Sequence, residues 1–424
     1  MNRVTHKREI FVFAHWNGME NPLPMGVLFS ERLRGKEIFS FEYNDEWLKT
    51  GNAHLLDPDL QLYPGLHFLS GNQTNFGIFL DSSPDRWGRV LMRRREAALA
   101  RAESRQENKL FETDYLLGVY DEYRMGALRF KLVDDGPFLN DNREMASPPW
   151  ASLRELEETS LKLEQDEAIN DSDYLKWLGI LMAPGTSLGG ARPKASIIDG
   201  KGDLWIAKFP SRNDMGDIGA WEMVTYKLAI NAGVNMSESN VQKFSSQHHT
   251  FLTKRFDRNA EGKRIHFASA MTMLGYPDGS SYEDGVSYLE LAEFISRHGA
   301  VVNKDLEELW RRIVFYICVS NTDDHLRNHG FILTNKGWLL SPAYDINPVE
   351  TGTGLKLNIS ETDNALDLSL TMKVHEYFRL TEKRALEIKD EVKEAIKNWR
   401  RFATELGISK SEQDLKKIAF KNCH

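Results

Sequence analysis

The stretch Asn321-Thr-Asp-Asp-His-Leu-Arg-Asn-His-Gly330, with Ser341-Pro-Ala-Tyr-Asp-Ile346 close behind it, restricts this chain more than any other part. It sets an Asp and an Asn in the register D-x-x-x-x-N, Asp323 to Asn328. The short apolar segment Phe331-Ile-Leu follows, and then Asp345 on a second apolar edge. Phosphoryl transfer needs such a set. One carboxylate orients the attacking hydroxyl and accepts its proton, while an amide oxygen and a second carboxylate hold Mg²⁺ on nucleotide phosphates. A D-x-x-x-x-N alone occurs by chance in many solvated loops, so its weight comes from the order of what lies upstream.

Upstream stands a glycine-rich turn, Gly185-Thr-Ser-Leu-Gly-Gly190, followed by Ala191-Arg-Pro-Lys-Ala-Ser-Ile-Ile198, the turn signal Asp199-Gly-Lys-Gly202 and Asp203-Leu-Trp-Ile-Ala-Lys-Phe209. Apolar β-formers flanking a Gly-containing turn predict a loop and a two-stranded hairpin, with Lys208 late in the second strand. Glu222 follows on a predicted helix, Ala220 to Ala229, placed to pair with that lysine. In protein kinases a glycine-rich loop covers the phosphates, a strand lysine contacts them and a helix Glu holds the lysine. Glycine loop, lysine, Glu, D-x-x-x-x-N and late Asp stand here in that order.

At 424 residues the chain is expected to form two domains, divided at a turn-rich, apolar-poor stretch into 1–145 and 146–424. The first part reads as mixed α/β: strands at Ile10–Ala14, Met25–Phe29 and Ile38–Phe41, a helix from Ser83-Pro84 through an Arg/Ala run, and a closing strand near Phe130. Helices dominate the second. The clearest covers Asp305 to Ile317, with Asp305 and Glu308 as a capping box. Another spans Glu382 to Glu405, its apolar side formed by Leu386, Ile388, Val392, Ala395, Ile396 and Trp399. No apolar run reaches the length of a membrane span, and no signal-peptide core opens the chain. The two cysteines, Cys318 and Cys423, fit a reducing cytoplasm. A net charge of −8 (54 basic against 62 acidic residues) argues against nucleic-acid binding by the whole surface.

With its motifs in this order, the chain resembles the HipA family of toxin serine/threonine kinases along nearly its whole length. Leu80-Asp-Ser-Ser-Pro-Asp-Arg86 and the strands around it look like the family's N-terminal subdomain. Ser187 to Lys194 resembles its nucleotide loop, Ile206-Ala-Lys-Phe-Pro210 its lysine strand and Thr253 to Arg258 its hinge. Thr322 to Asn328 resembles its catalytic loop, and Ala343-Tyr-Asp-Ile346 its metal-binding segment. The resemblance implies an α/β (α+β) chain. It would have a protein-kinase-like fold, with a small β-containing lobe at about 180–260, a large helical lobe at about 285–424 and a mixed α/β N-terminal subdomain. It further implies Asp323 as catalytic base, Asn328 and Asp345 as Mg²⁺ ligands, and Lys208, paired with Glu222, on the ATP phosphates. Ser187, Gly189 and Gly190 would lie in the ATP loop, and the backbone near Lys254 and Phe256 would meet the adenine. Ser187 matches the serine that family members phosphorylate on themselves to shut the site. Implied partners are a protein substrate, such as an aminoacyl-tRNA synthetase, and a helix-turn-helix antitoxin through which DNA is met indirectly. Two positions depart from the family's best-known member, which has Gly where this chain has Asp324 and Glu where it has Lys254.

Two other classes stay open. A metal-dependent phosphohydrolase would collect Asp323, Asp324, His325 and His329 as ligands, but would leave the glycine loop and Lys208 without a task. An inactive kinase-like scaffold would act by binding alone. For His329, hydrogen bonding within the loop is the simpler reading, and His325 would help to hold the loop in shape. His248 and His249 are expected at the surface. The arginines from Arg86 to Arg105 crowd one helix, as a solvated face or as a basic surface for an acidic partner.

Overall fold

The structure, a computed structural model, describes residues 7–16, 18–142, 146–182, 190 and 192–423. Contacts divide the chain into two compact units, Met1–Ala207 with Asp257–Pro277 and Lys208–Phe256 with Asp278–His424. The first opens with β1 (Lys7–Ala14), β2 (Leu23–Leu33), β3 (Lys36–Tyr43), α1 (Asp45–Leu48), β4 (Leu66–Phe68), α2 (Gly77–Asp81), α3 (Arg86–Ala102), α4 (Glu112–Leu117) and β5 (Leu128–Lys131). Then come α5 (Leu153–Leu163), α6 (Tyr174–Met182), β6 (Lys194–Ile198) and β7 (Leu204–Lys208). The second unit takes up α7 (Ile218–Asn231), β8 (Ser239–Gln242) and β9 (Thr250–Lys254). The chain returns to the first with β10 (Phe267–Ser269) and α8 (Ala270–Leu274). It finishes in the second with α9 (Tyr288–His298), α10 (Val302–Val319), β11 (Gly330–Thr334), β12 (Gly337–Leu340), α11 (Leu368–Val374), α12 (Glu382–Ile396), α13 (Trp399–Glu405) and α14 (Lys410–Lys416).

The first unit is built on an antiparallel sheet in the order β4-β3-β2-β1-β5. Arg34 and Gly35, both at positive φ, link β2 to β3, and the pair Leu33↔Lys36 closes the turn. A two-residue loop with both central residues left-handed matches the twist of the strands. Along β3 the side chains alternate, and Phe39, Phe41 and Tyr43 are buried.

Helix α3 is capped by Asp85, which accepts from the Gly88 amide at 2.9 Å. The helix therefore starts after Asp85, and Pro84 lies before the cap, not in the first turn as the sequence had suggested. The same carboxylate takes the Lys194 ammonium at 3.0 Å, with both side chains almost wholly buried. Lys194 also donates to the Gly190 carbonyl at 2.8 Å, and Trp87 Nε1 donates to the Lys194 carbonyl at 3.1 Å. One buried ion pair thus joins the start of α3 to the end of the glycine-rich segment. Of the α3 arginines, Arg89 clasps Glu112 and Arg94 donates to the Leu163 carbonyl, while Arg105, beyond the end of the helix, holds Glu96.

In the second unit α10 is the core element. Leu306, Leu309, Trp310, Ile313, Val314 and Ile317 are wholly buried, and the helix packs against α9, α12 and the 3₁₀ segment Lys417–Cys423. It begins at Val302, so Asp305 is inside it and is no cap. The carboxylate of Asp305 instead accepts from the Leu340 amide at 3.0 Å, fixing β12. The expected helix Glu382–Glu405 is two helices, α12 and α13, and Leu386 is 40% exposed and not on the buried side. Both cysteines are free thiols. Among the described residues no helix is long and apolar enough to cross a membrane.

Removing one member of a buried ion pair leaves the other charge uncompensated, at about 3–5 kcal/mol. Lys194→Met should lower the unfolding free energy by that much in urea titrations. Combining it with Asp85→Leu should cost less than the sum of the two single changes. Strict additivity would show that the pair carries no coupling.

Candidate active site

Lys208 ends β7 with its side chain buried between two carboxylates. Its Nζ lies 2.5 Å from Glu222 Oε1 and 2.5 Å from Asp345 Oδ1. Burial pulls the ammonium's pKa down, but the charges and hydrogen bonds of Asp345 and Glu222 outweigh it and hold the pKa above the ordinary lysine value. The lysine stays charged, and Glu222, 14 residues on, and Asp345, 137 residues on, meet at its one nitrogen.

Each partner has its own support. Glu222 stands in the second turn of α7, whose cap Asp217 accepts from the Ala220 amide at 3.1 Å and from the His249 amide at 2.8 Å. Gly219 packs so tightly there that a Cβ would stand 2.1 Å from the His249 carbonyl oxygen, so glycine is required at that position. His249, expected at the surface, is half-buried and places Nδ1 2.6 Å from Asp217 Oδ2. Asp345 has a left-handed backbone at φ 56°, a conformation that Asp tolerates better than most residues. Before it, Ala343 bridges to Met236, and its amide donates to the Asn235 carbonyl at 2.8 Å. Buried Arg312 of α10 donates to the Ser341 carbonyl at 2.8 Å and to Glu308 at 2.8 Å.

The loop around Asp323 grows out of the end of α10. Ser320 turns left-handed at φ 51°, and the Asn321 amide returns to the Tyr316 carbonyl at 2.9 Å, which stops the helix. Asp323 is exposed. Its carbonyl accepts from the His325 amide at 3.0 Å and from Asn328 Nδ2 at 3.1 Å. With its amide nitrogen so used, buried Asn328 is left with an Oδ1 that has no hydrogen-bond partner among the described residues. Tyr344 joins this loop to the Asp345 segment by donating its hydroxyl to the Arg327 carbonyl at 2.8 Å.

Asp324 is buried, and its Oδ1 lies 2.7 Å from Nε2 of wholly buried His329. The two side chains are close enough for an ion pair, yet neither Asp324 oxygen and neither ring nitrogen of His329 has a hydrogen bond among the described residues, so the hydrogen bond expected for His329 within the loop is not seen. Tyr288 and Tyr316 stand edge-on around its ring. Among the described residues no three His, Cys, Asp or Glu side chains converge to hold a metal ion, which leaves the phosphohydrolase arrangement without a ligand set.

At the hinge, the Lys254 amide donates to the Glu238 carbonyl at 2.8 Å, and the Lys254 carbonyl accepts from the Ser237 hydroxyl. Phe256 is half-buried, its ring centroid 5.6 Å from that of Tyr344. Gly190 is described, and no described residue stands within 4 Å of a Cβ there; Ser187 and Gly189 lie outside the described residues. The structure therefore brings together Lys208, Glu222 and Asp345, and ties Asp323 to Asn328. Sequence reasoning missed Tyr344, Asp217 and His249. It also missed Asn347, whose Oδ1 has no donor among the described residues and whose backbone N–H donates to Asn321 Oδ1 at 3.1 Å. A polar residue two positions after Asp345 was the one local signal for Asn347.

The sequence pattern of the HipA-like C-terminal domain matches residues 186–400, about half of the chain. The chain belongs to the HipA family. A Haemophilus influenzae protein named as a candidate kinase is 29% identical over 180 residues, covering 38% of this chain and 52% of the relative. Y4dM of Sinorhizobium fredii, also named as a candidate kinase, is 28% identical over 193 residues, covering 42% and 46%. The chain thus spans about half the length of the curated relatives it matches. The Shewanella oneidensis toxin–antitoxin structure of HipA, HipB and operator DNA gives a TM-score of 0.65 at 18% identity, covering 98% of this chain and 96% of that one. The expected mixed α/β, kinase-like fold of the HipA family is borne out.

In this HipA-family chain the Asp217 carboxyl is opposed by burial, yet donation from His249 and backbone amides holds it below the usual carboxylate range. A depressed carboxylate stabilises the fold above its unfolded pKa, about 4, and loses that contribution as pH falls through the folded value. Asp217→Asn should therefore cost about 1–2 kcal/mol at pH 7 in urea titrations, with the gap from the parent closing below about pH 4. A gap that stays constant with pH would remove the charge from the account.

Proposed function

We propose that this HipA-family chain is an ATP- and Mg²⁺-dependent serine/threonine protein kinase of the toxin–antitoxin type. The observation that carries the reading is the buried Lys208 ammonium held by both Glu222 and Asp345. A lysine kept charged and aimed by a helix glutamate is what a phosphate clamp requires, and its second carboxylate partner belongs to the segment expected to bind metal. Asn328 fits as well. Its buried Oδ1 is a hard oxygen donor without a hydrogen bond among the described residues, and with Asp345 it makes an oxygen set suited to Mg²⁺. The ion, once bound, would neutralise charge on the phosphoryl oxygens.

In this reading Lys208 holds the phosphates, and exposed Asp323 orients the substrate hydroxyl and takes its proton at the carboxylate. Its carbonyl, braced by His325 and Asn328, fixes the direction of the side chain. Phe256 and Lys254 contact the adenine. The Lys254 amide is already spent on the Glu238 carbonyl, so it would not be the donor to the adenine. The Shewanella HipA was solved with HipB and operator DNA, which supports an antitoxin partner that binds DNA for this chain too.

Asp323→Asn should abolish transfer of labelled phosphate to protein while ATP still binds. Loss of base assistance costs roughly 10²–10⁴-fold, and parent-like turnover would sink the assignment. Asp345→Asn should instead weaken Mg-ATP binding itself, and unchanged affinity in calorimetry would move the metal site elsewhere. Self-modification is read by mass spectrometry of Ser187 in the parent beside Asp323→Asn. Phosphate is expected in the parent alone. Phosphate in both would point to another kinase, and in neither would remove the switch.

A further inference from the structure

The two cysteines take no part in the site above, yet the fold of the second unit brings them together. Cys318 stands in the last turn of α10 and is wholly buried. Cys423 ends the 3₁₀ segment Lys417–Cys423, which packs along that helix. The Cys318 thiol donates to the Cys423 sulfur, and Cys423 Sγ stands 3.8 Å from the Lys393 carbonyl. Two thiols from distant parts of the sequence thus touch, with no bond between them.

The two sulfurs are not equivalent. The hydrogen bond from Cys318 pulls the Cys423 thiol below its ordinary pKa; burial opposes this, and the ammoniums of Lys393 and Lys397 reinforce it. The same hydrogen bond, then burial and the charge on Cys423, push Cys318 up. Cys423 also keeps 5% of its surface exposed, against none for Cys318. The proton of the pair therefore stays on Cys318, and the sulfur nearer to solvent is the nucleophile. Next to the pair is Ser320, the left-handed residue that ends α10 and opens the Asp323 loop. Its hydroxyl donates to the Ala419 carbonyl at 2.8 Å and accepts from Asn422 Nδ2 at 3.2 Å, and its carbonyl accepts from the Val349 amide at 3.1 Å. Lys416, just ahead of the 3₁₀ segment, donates to the Pro348 carbonyl at 3.1 Å and pairs with Glu350 at 2.7 Å. The chain around Cys423 thus holds the start of the Asp323 loop and the end of the Asp345 segment.

We infer that Cys318 and Cys423 form a covalent modification site, a dithiol that a hydroperoxide oxidises to an intrachain disulfide and a dithiol reductant restores. In the first step the Cys423 thiolate attacks a peroxide oxygen and the O–O bond breaks. Hydroxide leaves, to be neutralised by the proton that Cys423 had given up, and Cys423 becomes a sulfenic acid. In the second step the Cys318 sulfur attacks the Cys423 sulfur. The S–S bond forms, the S–O bond breaks, and the departing hydroxide takes the Cys318 proton as water. Two thiols lose two electrons, and hydrogen peroxide becomes two waters. The new bond, about 2 Å long, is shorter than any contact between unbonded sulfurs. It ties the last turn of α10 to a segment otherwise held there by packing and by the Ser320 hydrogen bonds. A pair that rests as thiols and closes when oxidant rises is the kind of disulfide a reducing compartment permits.

The test exposes the full chain to hydrogen peroxide, at a dose that oxidises free glutathione, and maps its peptides without reduction. It uses the parent, Cys423→Ser and Cys318→Ala. In the parent the Cys318 peptide should be found joined to the Cys423 peptide, and dithiothreitol should part them. Cys318→Ala should stop at a Cys423 sulfenic acid, which dimedone traps. In Cys423→Ser the Cys318 thiol should be lost roughly tenfold or more slowly than in the parent, because the buried thiol has lost its reactive neighbour. If Cys318→Ala does not fold, the parent and Cys423→Ser decide the matter. Thiols that stay reduced in the folded parent would overturn the proposal. So would a disulfide joining Cys423 of two chains, or Cys318 oxidised as fast in Cys423→Ser as in the parent. The tie itself is read by hydrogen exchange. The amides of Asn321 and Val349, which donate to the Tyr316 and Ser320 carbonyls, should exchange roughly tenfold more slowly in the oxidised parent and not respond to peroxide in Cys423→Ser. Exchange unchanged by a disulfide that does form would overturn the claim that it steadies the loop. None of these measurements uses phosphate transfer, so failure here leaves the kinase reading untouched.

Discussion

A buried ammonium between two carboxylates organises the second unit. Lys208 could not be both charged and buried without Glu222 and Asp345, which meet at its nitrogen from two separate parts of the unit. The demands of that contact spread outward. Glu222 requires α7 to start at a fixed height, which Asp217 and the close packing of Gly219 enforce. Asp345 requires a left-handed turn, which the Ala343 bridge and the Arg312 tether hold. Since Arg312 belongs to α10 and α10 also launches the Asp323 loop, one buried helix sets both acidic groups.

The loop and the Asp345 segment are joined by polar contacts that use backbone carbonyls as acceptors, from Tyr344, Asn328 and Arg312. Carbonyls are fixed by the chain itself, so such contacts set position with little freedom. What they leave over is informative. Asn328 donates with its nitrogen and keeps an oxygen without a hydrogen bond among the described residues, and so does Asn347, which lies in the same segment as Asp345. Unsatisfied buried acceptors are costly in an interior with no task for them.

Much of this was legible in the sequence because the informative groups are close neighbours in it. Asp323 and Asn328 fall within one loop, Lys208 and Glu222 within one strand-to-helix passage, and the Arg34-Gly35 turn announces itself. The failures share a cause: a partner far along the chain. Asp305 reads as a cap until Leu340 claims it from 35 residues away, and His249 reads as surface until Asp217 claims it from 32. Leu386 fits the helical period of α12 but lies outside the face that the neighbouring helices cover. Local pattern tells which side of a helix is apolar, but not how wide a stripe the tertiary neighbours will cover.

The Asp324–His329 contact has a bearing on how this loop came to be. The carboxylate at position 324 is buried, with the His329 ring within ion-pair distance of it. A glycine there, as in the family's best-known member, makes no such demand. A histidine at 329 can wait in a neutral, aromatic-lined pocket before it has a partner, whereas an aspartate arriving first would be stranded. Replacing Asp324 alone by glycine would leave His329 among its tyrosines, whereas replacing His329 alone would take from a buried carboxylate the ring that stands 2.7 Å from it.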